Sequence, residues 1–321
     1  MKFSVISTVL FAFATVGLAV PGPIAVTGDT VVHDPSICKD GSGKYFLFSS
    51  GLVGEAGMTI RTSTDRVNWV KVGNVFPNGA PWTDQFTGRA NAPLWAPDCT
   101  FVNGRFYVLL CYGRLTHRYH KSGIFLATST TGLPGSWTNQ GLVTSTSDPS
   151  SNYNVGPSPE LFLRMVVDGG NWYLDFGSFW TGIKLLNPST GKPSSNSLTS
   201  LATRTVDNGA EEAPIIHKNG NFYYLFTSWD HCCQGTSSNY NIRVGRSSSV
   251  DGPYVDRDGV AMTAGGGTLV LESHDSIHGP GGQSIFNDND GTILVYHYYT
   301  ANGSFLGLNR LDFSSGWPVV V

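Results

Sequence analysis

The chain has 321 residues, Lys+Arg 20 against Asp+Glu 23, a formal net charge of −3 and only 13% charged residues. Such a balance offers no basic field for nucleic acid or an anionic membrane surface, so a neutral partner is expected. Aromatics at 12% and 39 glycines suit a chain that buries a large apolar core through short strands and frequent turns.

At the N-terminus, Lys2 opens a mostly apolar run from Phe3 to Val16, and Gly17-Leu18-Ala19 supplies the small residues read by a signal peptidase. Residues 1–19 are therefore expected to be a secretory signal, because the run is short for a bilayer span and is followed at once by Pro21-Gly22-Pro23. The expected product is a secreted, extracellular chain whose residues 20–321 form one domain.

From there one phrase recurs five times: a polar or acidic start, an apolar run, an Asn-Gly or Asp-Gly turn, then an aromatic-rich strand. It reads Asp34-Pro35-Ser36-Ile37, Asp40-Gly41, Tyr45-Phe46-Leu47-Phe48; then Asp98-Cys99-Thr100-Phe101, Asn103-Gly104, Phe106-Tyr107-Val108-Leu109. The third copy centres on Val166-Val167-Asp168-Gly169 before Trp172-Tyr173-Leu174, and the fourth runs Ala213-Pro214-Ile215-Ile216, Asn219-Gly220, Phe222-Tyr223-Tyr224-Leu225. The fifth is Gln283-Ser284-Ile285-Phe286, Asp290-Gly291, Ile293-Leu294-Val295-Tyr296. Turn dipeptides of this kind tolerate the positive φ of two-residue hairpin loops, and Tyr, Phe, Val and Leu are strand formers. Copies roughly sixty residues apart match one four-stranded antiparallel sheet plus loops, and radial repetition of such sheets makes a propeller. The expected fold is all-β, a five-bladed β-propeller.

Five cysteines, Cys38, Cys99, Cys111, Cys232 and Cys233, are too few for a disulfide-framed scaffold, and the odd number leaves one unpaired. Cys38 and Cys99 read as small buried hydrophobes. Cys232-Cys233 is open between a vicinal disulfide, metal binding and packing. Asn302-Gly303-Ser304 is a glycosylation sequon on a turn.

If first strands face the propeller axis, the acidic starts converge on one cavity: His33-Asp34-Pro35, Ala96-Pro97-Asp98 and Glu211-Glu212-Ala213-Pro214. Carboxylates gathered in a cleft can have their pKa values pushed apart, leaving one as base and one as acid, the division that glycoside hydrolysis uses.

Five motifs in order, Val32-His33-Asp34-Pro35-Ser36, Leu94-Trp95-Ala96-Pro97-Asp98, Phe176-Gly177-Ser178-Phe179-Trp180, Glu212-Ala213-Pro214 and His278-Gly279-Pro280-Gly281, resemble those of family 43 glycoside hydrolases, specifically secreted fungal endo-1,5-α-L-arabinanases. The resemblance covers nearly the whole mature chain. It implies a five-bladed propeller that cuts the α-1,5-linked arabinan side chains of pectin with inversion. It also implies that Asp34 is the general base and Glu212, immediately before Ala-Pro, the general acid, with Glu211 its rival. An inverting pair should stand roughly 6.5–9.5 Å apart.

One departure stands out. The family carries a third carboxylate, an Asp in an Asn-Ala-Ile-Asp-Pro stretch of the third blade, whereas here Tyr153-Asn154 is followed by Val155 to Val166, and the Asp-Pro pair falls on Phe162-Leu163. Three readings stand: a misplaced exon boundary, a shifted loop in which Glu160 serves, or an inactive sugar-binding relative. Without that neighbour, Glu212 is expected to ionise too readily and turnover to fall severely.

The resemblance further suggests that His278 helps to hold a central calcium ion, largely through water. Trp95 and Trp180 offer flat faces to furanose rings, and Asp98, Asn154 and Ser178 are candidate partners of sugar hydroxyls. The expected protein is a monomeric arabinan hydrolase without an organic cofactor. An exo-acting arabinofuranosidase or xylosidase and a non-catalytic arabinan-binding propeller are the alternatives.

Overall fold

Each aromatic-rich run becomes the second strand of an antiparallel sheet, because its alternating side chains fill the gap to a neighbouring sheet. The structure, a computed structural model, describes residues 20–51, 57–87, 90, 93–113, 122–145, 162–195 and 197–321. The expected signal segment 1–19 and the candidate sugar-binding residue Asn154 lie outside the described residues. Blade 1 contains Ser36–Lys39, Tyr45–Ser49, Thr59–Ser63 and Asn68–Asn74, and Thr27–Gly28 adds a short parallel strand to its outer edge. Blade 2 contains Trp95–Val102, Arg105–Gly113, Ser122–Ser129 and Thr138–Ser145. In blade 3, Phe162–Asp168, Asn171–Gly177 and Thr181–Asn187 are edged by Lys192–Pro193 and Thr199–Ala202. Blade 4 contains Glu211–Asn219, Phe222–Trp229, Asn241–Ser247 and Thr268–Leu271. Blade 5 contains His278–Asp288, Gly291–Thr300, Gly303–Asp312 and Val319–Val320. The first strand of each sheet touches that of the next, and the fifth returns to the first, so the sheets close into the expected five-bladed propeller.

The turns follow their chemistry with two shifts. Asn103 (φ 52°) and Gly104 (φ 73°) form the expected two-residue loop between Val102 and Arg105. At Asp40 the loop is longer, since the Asp40 carboxylate accepts the amides of Ser42 at 2.9 Å and Lys44 at 3.0 Å, an Asx-type turn that displaces the simple hairpin. In blade 3 the turn residues are Gly169-Gly170 between Asp168 and Asn171.

The core is distributed between blades. Five clusters of buried side chains each straddle one interface, such as Phe46, Phe48, Phe106 and Phe125 between blades 1 and 2, and Tyr224, Phe226, Leu294 and Tyr296 between blades 4 and 5. Nearer the axis, side chains also tie each interface to a neighbouring backbone. Ser36 Oγ accepts the Cys99 amide at 3.0 Å, Asp98 Oδ2 that of Met165 at 2.9 Å, Asp175 Oδ2 that of Ile216 at 2.8 Å, and Ser228 Oγ that of Gly282 at 3.0 Å. At the last interface Pro35 has no amide hydrogen to give, and Ser284 Oγ instead donates to its carbonyl at 2.9 Å.

Cys38 and Cys99 are joined by a disulfide between blades 1 and 2, which corrects their reading as unbonded hydrophobes. Their adjacent first strands bring two buried thiols to one seam, a pairing that spacing along the chain does not show. Cys232 and Cys233 form a vicinal disulfide, and Cys111 is buried and belongs to neither disulfide. Blades 5 and 1 are further joined at Asp288, whose carboxylate takes Lys39, Tyr45 and Arg66 as donors. Among the described residues no helix is long and apolar enough to cross a membrane.

Candidate active site

Blades 1, 2 and 4 each place a left-handed residue before a proline where the first strand meets the hub: Asp34 (φ 50°), Ala96 (φ 42°) and Ala213 (φ 53°). Blade 5 uses Gly282 (φ 55°) at the equivalent point. The ladder register slips there in blades 2, 4 and 5. A non-glycine residue held so costs roughly 1–3 kcal/mol, and a bulge re-aims a side chain that regular alternation would send elsewhere. These kinks ring an axial cavity of about 10 Å³ lined by Asp34, Asp98, Ala213 and Gly282. That is room for one water at most, so the axis is plugged and a ligand must lie on the face of the ring.

Asp34 is 4% exposed. Its Oδ2 accepts the Ser50 hydroxyl at 2.7 Å and lies 2.8 Å from His33 Nδ1. Its Oδ1 is buried without a hydrogen-bond partner, 3.5 Å from His297 Nδ1. Burial pushes this carboxyl upward, but His33, His297 and Ser50 together outweigh it and hold the group below its ordinary range. Asp34 is thus an ionised carboxylate with one oxygen still able to accept. A Cβ on Gly282 would stand 2.5 Å from that oxygen and 2.7 Å from the His297 ring, so only glycine fits there.

Glu212, 8% exposed, behaves oppositely. Burial is the largest influence and drives its pKa to about 7, with the Asp34 charge adding to the rise and the hydroxyls of Tyr240 and Ser178 opposing it. Ser178 Oγ donates to Oε2 at 2.8 Å and Tyr240 Oη donates to Oε1. Glu211 is also raised to about 7 by burial, but it lies beside Thr227 and Trp229, neither oxygen makes a well-formed hydrogen bond, and Asp34 exerts no influence on it. The pair coupled across the hub is Asp34 and Glu212. The expectation that Glu212 would ionise too readily is corrected here, because burial and Asp34 suffice to keep it protonated into the neutral range. Glu160 lies outside the described residues.

The remaining candidates separate. Ser178 reaches the acid itself, as above. Asp98 is buried and accepts the Met165 amide, a tie between blades. Trp180 is half-buried, donates its indole N–H to Ser200 Oγ at 2.8 Å and packs edge-on against Phe176. Trp95 is half-buried beside Ala96 and Ala213 at the hub. Asn302 is exposed at the turn between Gly291–Thr300 and Gly303–Asp312. Sequence reasoning missed Ser50, Tyr240, Gly282, His297 and Tyr299. Their one visible signal was a histidine, His297, in an otherwise aromatic strand whose residues are buried.

For a cation the described residues offer one cluster at the hub, His33, Asp34 and His297, with ligand atoms within 4.8 Å of one another; His278 belongs to no such group. Calcium takes six to eight oxygen ligands, so two imidazoles and one carboxylate do not build a protein cage. His297 Nδ1 accepts the Asp34 amide at 3.1 Å, so the neutral ring carries its proton on Nε2 and offers no lone pair there to a cation; this cluster does not fit a calcium site.

A model of glycosyl hydrolases family 43 matches residues 25–318. The chain is 41% identical over 307 residues to the extracellular endo-α-(1→5)-L-arabinanase 1 of Bacillus subtilis, covering 94% of this chain and 91% of that protein. It is 38% identical to the arabinan endo-1,5-α-L-arabinosidase A of Aspergillus niger, covering 99% of this chain and 98% of that one. Among solved structures, a family 43 endo-arabinanase from Bacillus licheniformis superposes with a TM-score of 0.80 at 36% identity, covering 92% of this chain and 99% of that one.

Proposed function

The chain belongs to glycosyl hydrolases family 43, and from that premise we propose that it hydrolyses internal α-1,5-L-arabinofuranosidic bonds of arabinan with inversion at the anomeric carbon. The observation that carries the reading is the opposed protonation of two buried carboxyls at one hub, Asp34 held ionised and Glu212 held protonated to about 7. Asp34 takes the proton of a water as that water attacks the anomeric carbon. Glu212 delivers its proton to the departing glycosidic oxygen from the other face of the ring. Ser178 and Tyr240 fix the acid's two oxygens, and His33 and Ser50 fix the base.

The protein acts as a secreted monomer after loss of residues 1–19, with Asn302 open to glycosylation. Incubation with linear arabinan, with products resolved by chain length and by the anomer first released, tests the reading. Mixed oligomers of inverted configuration are expected. Arabinose as the sole early product would make the enzyme exo-acting, and no release at all would leave a binding protein.

A further inference from the structure

A vicinal disulfide stands beside the base, and neither the motifs nor the acid–base pair accounts for it. Residues 230–240 link the second and third strands of blade 4 and touch both halves of the site. At the far end Tyr240 reaches Glu212. At the near end the Cys233 amide donates to Tyr299 Oη at 3.0 Å, Tyr299 Oη is 2.9 Å from His33 Nε2, and His33 Nδ1 is 2.8 Å from Asp34 Oδ2.

Two of these directions are fixed: an ionised carboxylate only accepts, so His33 donates from Nδ1, and an amide only donates, so the Tyr299 oxygen accepts from Cys233. The Cys233 Sγ packs on the same pair, 3.6 Å from His33 Nε2 and 3.8 Å from Tyr299 Oη. Cys233 itself is exposed and left-handed at φ 67°, a conformation that an unconstrained cysteine would leave readily. His33, Cys232 and Cys233 stand close enough to hold a metal, but sulfurs spent in a disulfide bring no thiolate.

We propose that the Cys232–Cys233 disulfide is a positioning element for Asp34, acting through Tyr299 and His33, and this rests on Asp34 being the base. It pins the Cys233 amide under Tyr299, so that the phenol stays hydrogen-bonded to His33 and the imidazole holds the base carboxylate in its attacking orientation. Losing one such link misplaces the base without emptying the sugar cleft, so kcat falls and KM does not.

The test is a coupling measurement on linear arabinan with C232S/C233S, Tyr299→Phe and the triple variant. Each is expected to lose about fivefold in kcat, the equivalent of one neutral hydrogen bond, with KM within twofold. The triple variant is expected to be no slower than Tyr299→Phe alone, because both changes cut one relay. Mild phosphine reduction of the wild type, with thiols mapped by mass to confirm that Cys38–Cys99 stays closed, should reproduce the loss and leave C232S/C233S unaffected. Multiplying losses, a change confined to KM, or an unaltered kcat after reduction would overturn the proposal. A wild type inert on arabinan would instead sink the functional reading beneath it.

Discussion

Replacing Tyr240 by Phe isolates what holds the acid at its working pKa. The Tyr240 ring is fully buried and Gly281 gives it room, a Cβ there falling 2.2 Å from the ring, so phenylalanine keeps the packing and removes only the hydroxyl. That hydroxyl donates to Glu212 Oε1 and favours the ionised form. A hydrogen bond to a charged group contributes about 1.5–3 kcal/mol, and one pKa unit is about 1.4 kcal/mol, so the acid should rise by roughly one to two units. In the profile of kcat/KM against pH, which reports the free enzyme, the alkaline limb should move up from about 7 by that amount. Ser178→Ala should move it the same way, since Ser178 donates to the other oxygen. The folded state favours protonated Glu212 relative to its ordinary value of 4.5, so its contribution to stability is lost as pH rises through about 7, and the variant should retain that contribution to higher pH. An alkaline limb that stays put or moves down in both variants would mean that it does not report Glu212.

Glu212→Gln and Asp34→Asn should each lower kcat by about 10²–10⁴ with unfolding midpoints near wild type, while Glu211→Gln should stay within about tenfold; a larger loss for Glu211→Gln would reassign the acid. Gly282→Ala, whose Cβ would meet Asp34 Oδ1 at 2.5 Å, should abolish measurable hydrolysis while the far-ultraviolet spectrum remains that of a β protein. Breaking the Cys38–Cys99 link as C38A/C99A removes a crosslink spanning 61 residues, worth about 4 kcal/mol in the chain-entropy account, and should lower Tm by several degrees in calorimetry. Asp288→Ala takes the carboxylate from Lys39 and Tyr45 at the seam of blades 5 and 1 while Arg66 keeps its bidentate pair with Asp290, and should cost about 1.5–3 kcal/mol. At Asp288 burial raises the carboxyl but its donors hold it below 3.8. The wild type should therefore lose this seam's contribution only as pH falls below that range, whereas the variant's denaturant midpoint should lack the dependence.

The strands were legible because each blade is a local event: an alternating aromatic run after a turn declares its own faces, and Tyr45, Phe106, Trp172, Phe222 and Ile293 all fall in second strands or at their edge. Asp34 and Glu212 were legible for a related reason, as polar residues stationed before Pro35 and Ala213-Pro214 where a strand should begin with apolar ones. What escaped was everything that acts across the ring. The role of Asp98 depends on the Met165 amide in the next blade, and the pairing of Cys38 with Cys99 on two strands meeting at a seam. Tyr240 and Tyr299 look like any other strand-region tyrosines until Glu212 and His33 are placed beside them. Gly282 carries no mark beyond being one of a run of glycines, because its importance lies in the atoms its missing side chain would strike.

The plug at the hub governs how a polymer is handled. A tunnel retains its chain after each cut and passes it forward, whereas a face with no through-passage has nothing to thread. Both fragments leave sideways, and the next cleavage begins with a fresh encounter anywhere along another strand. Successive cuts are therefore independent events, and a solution of long arabinan should lose viscosity well before sugar monomers accumulate.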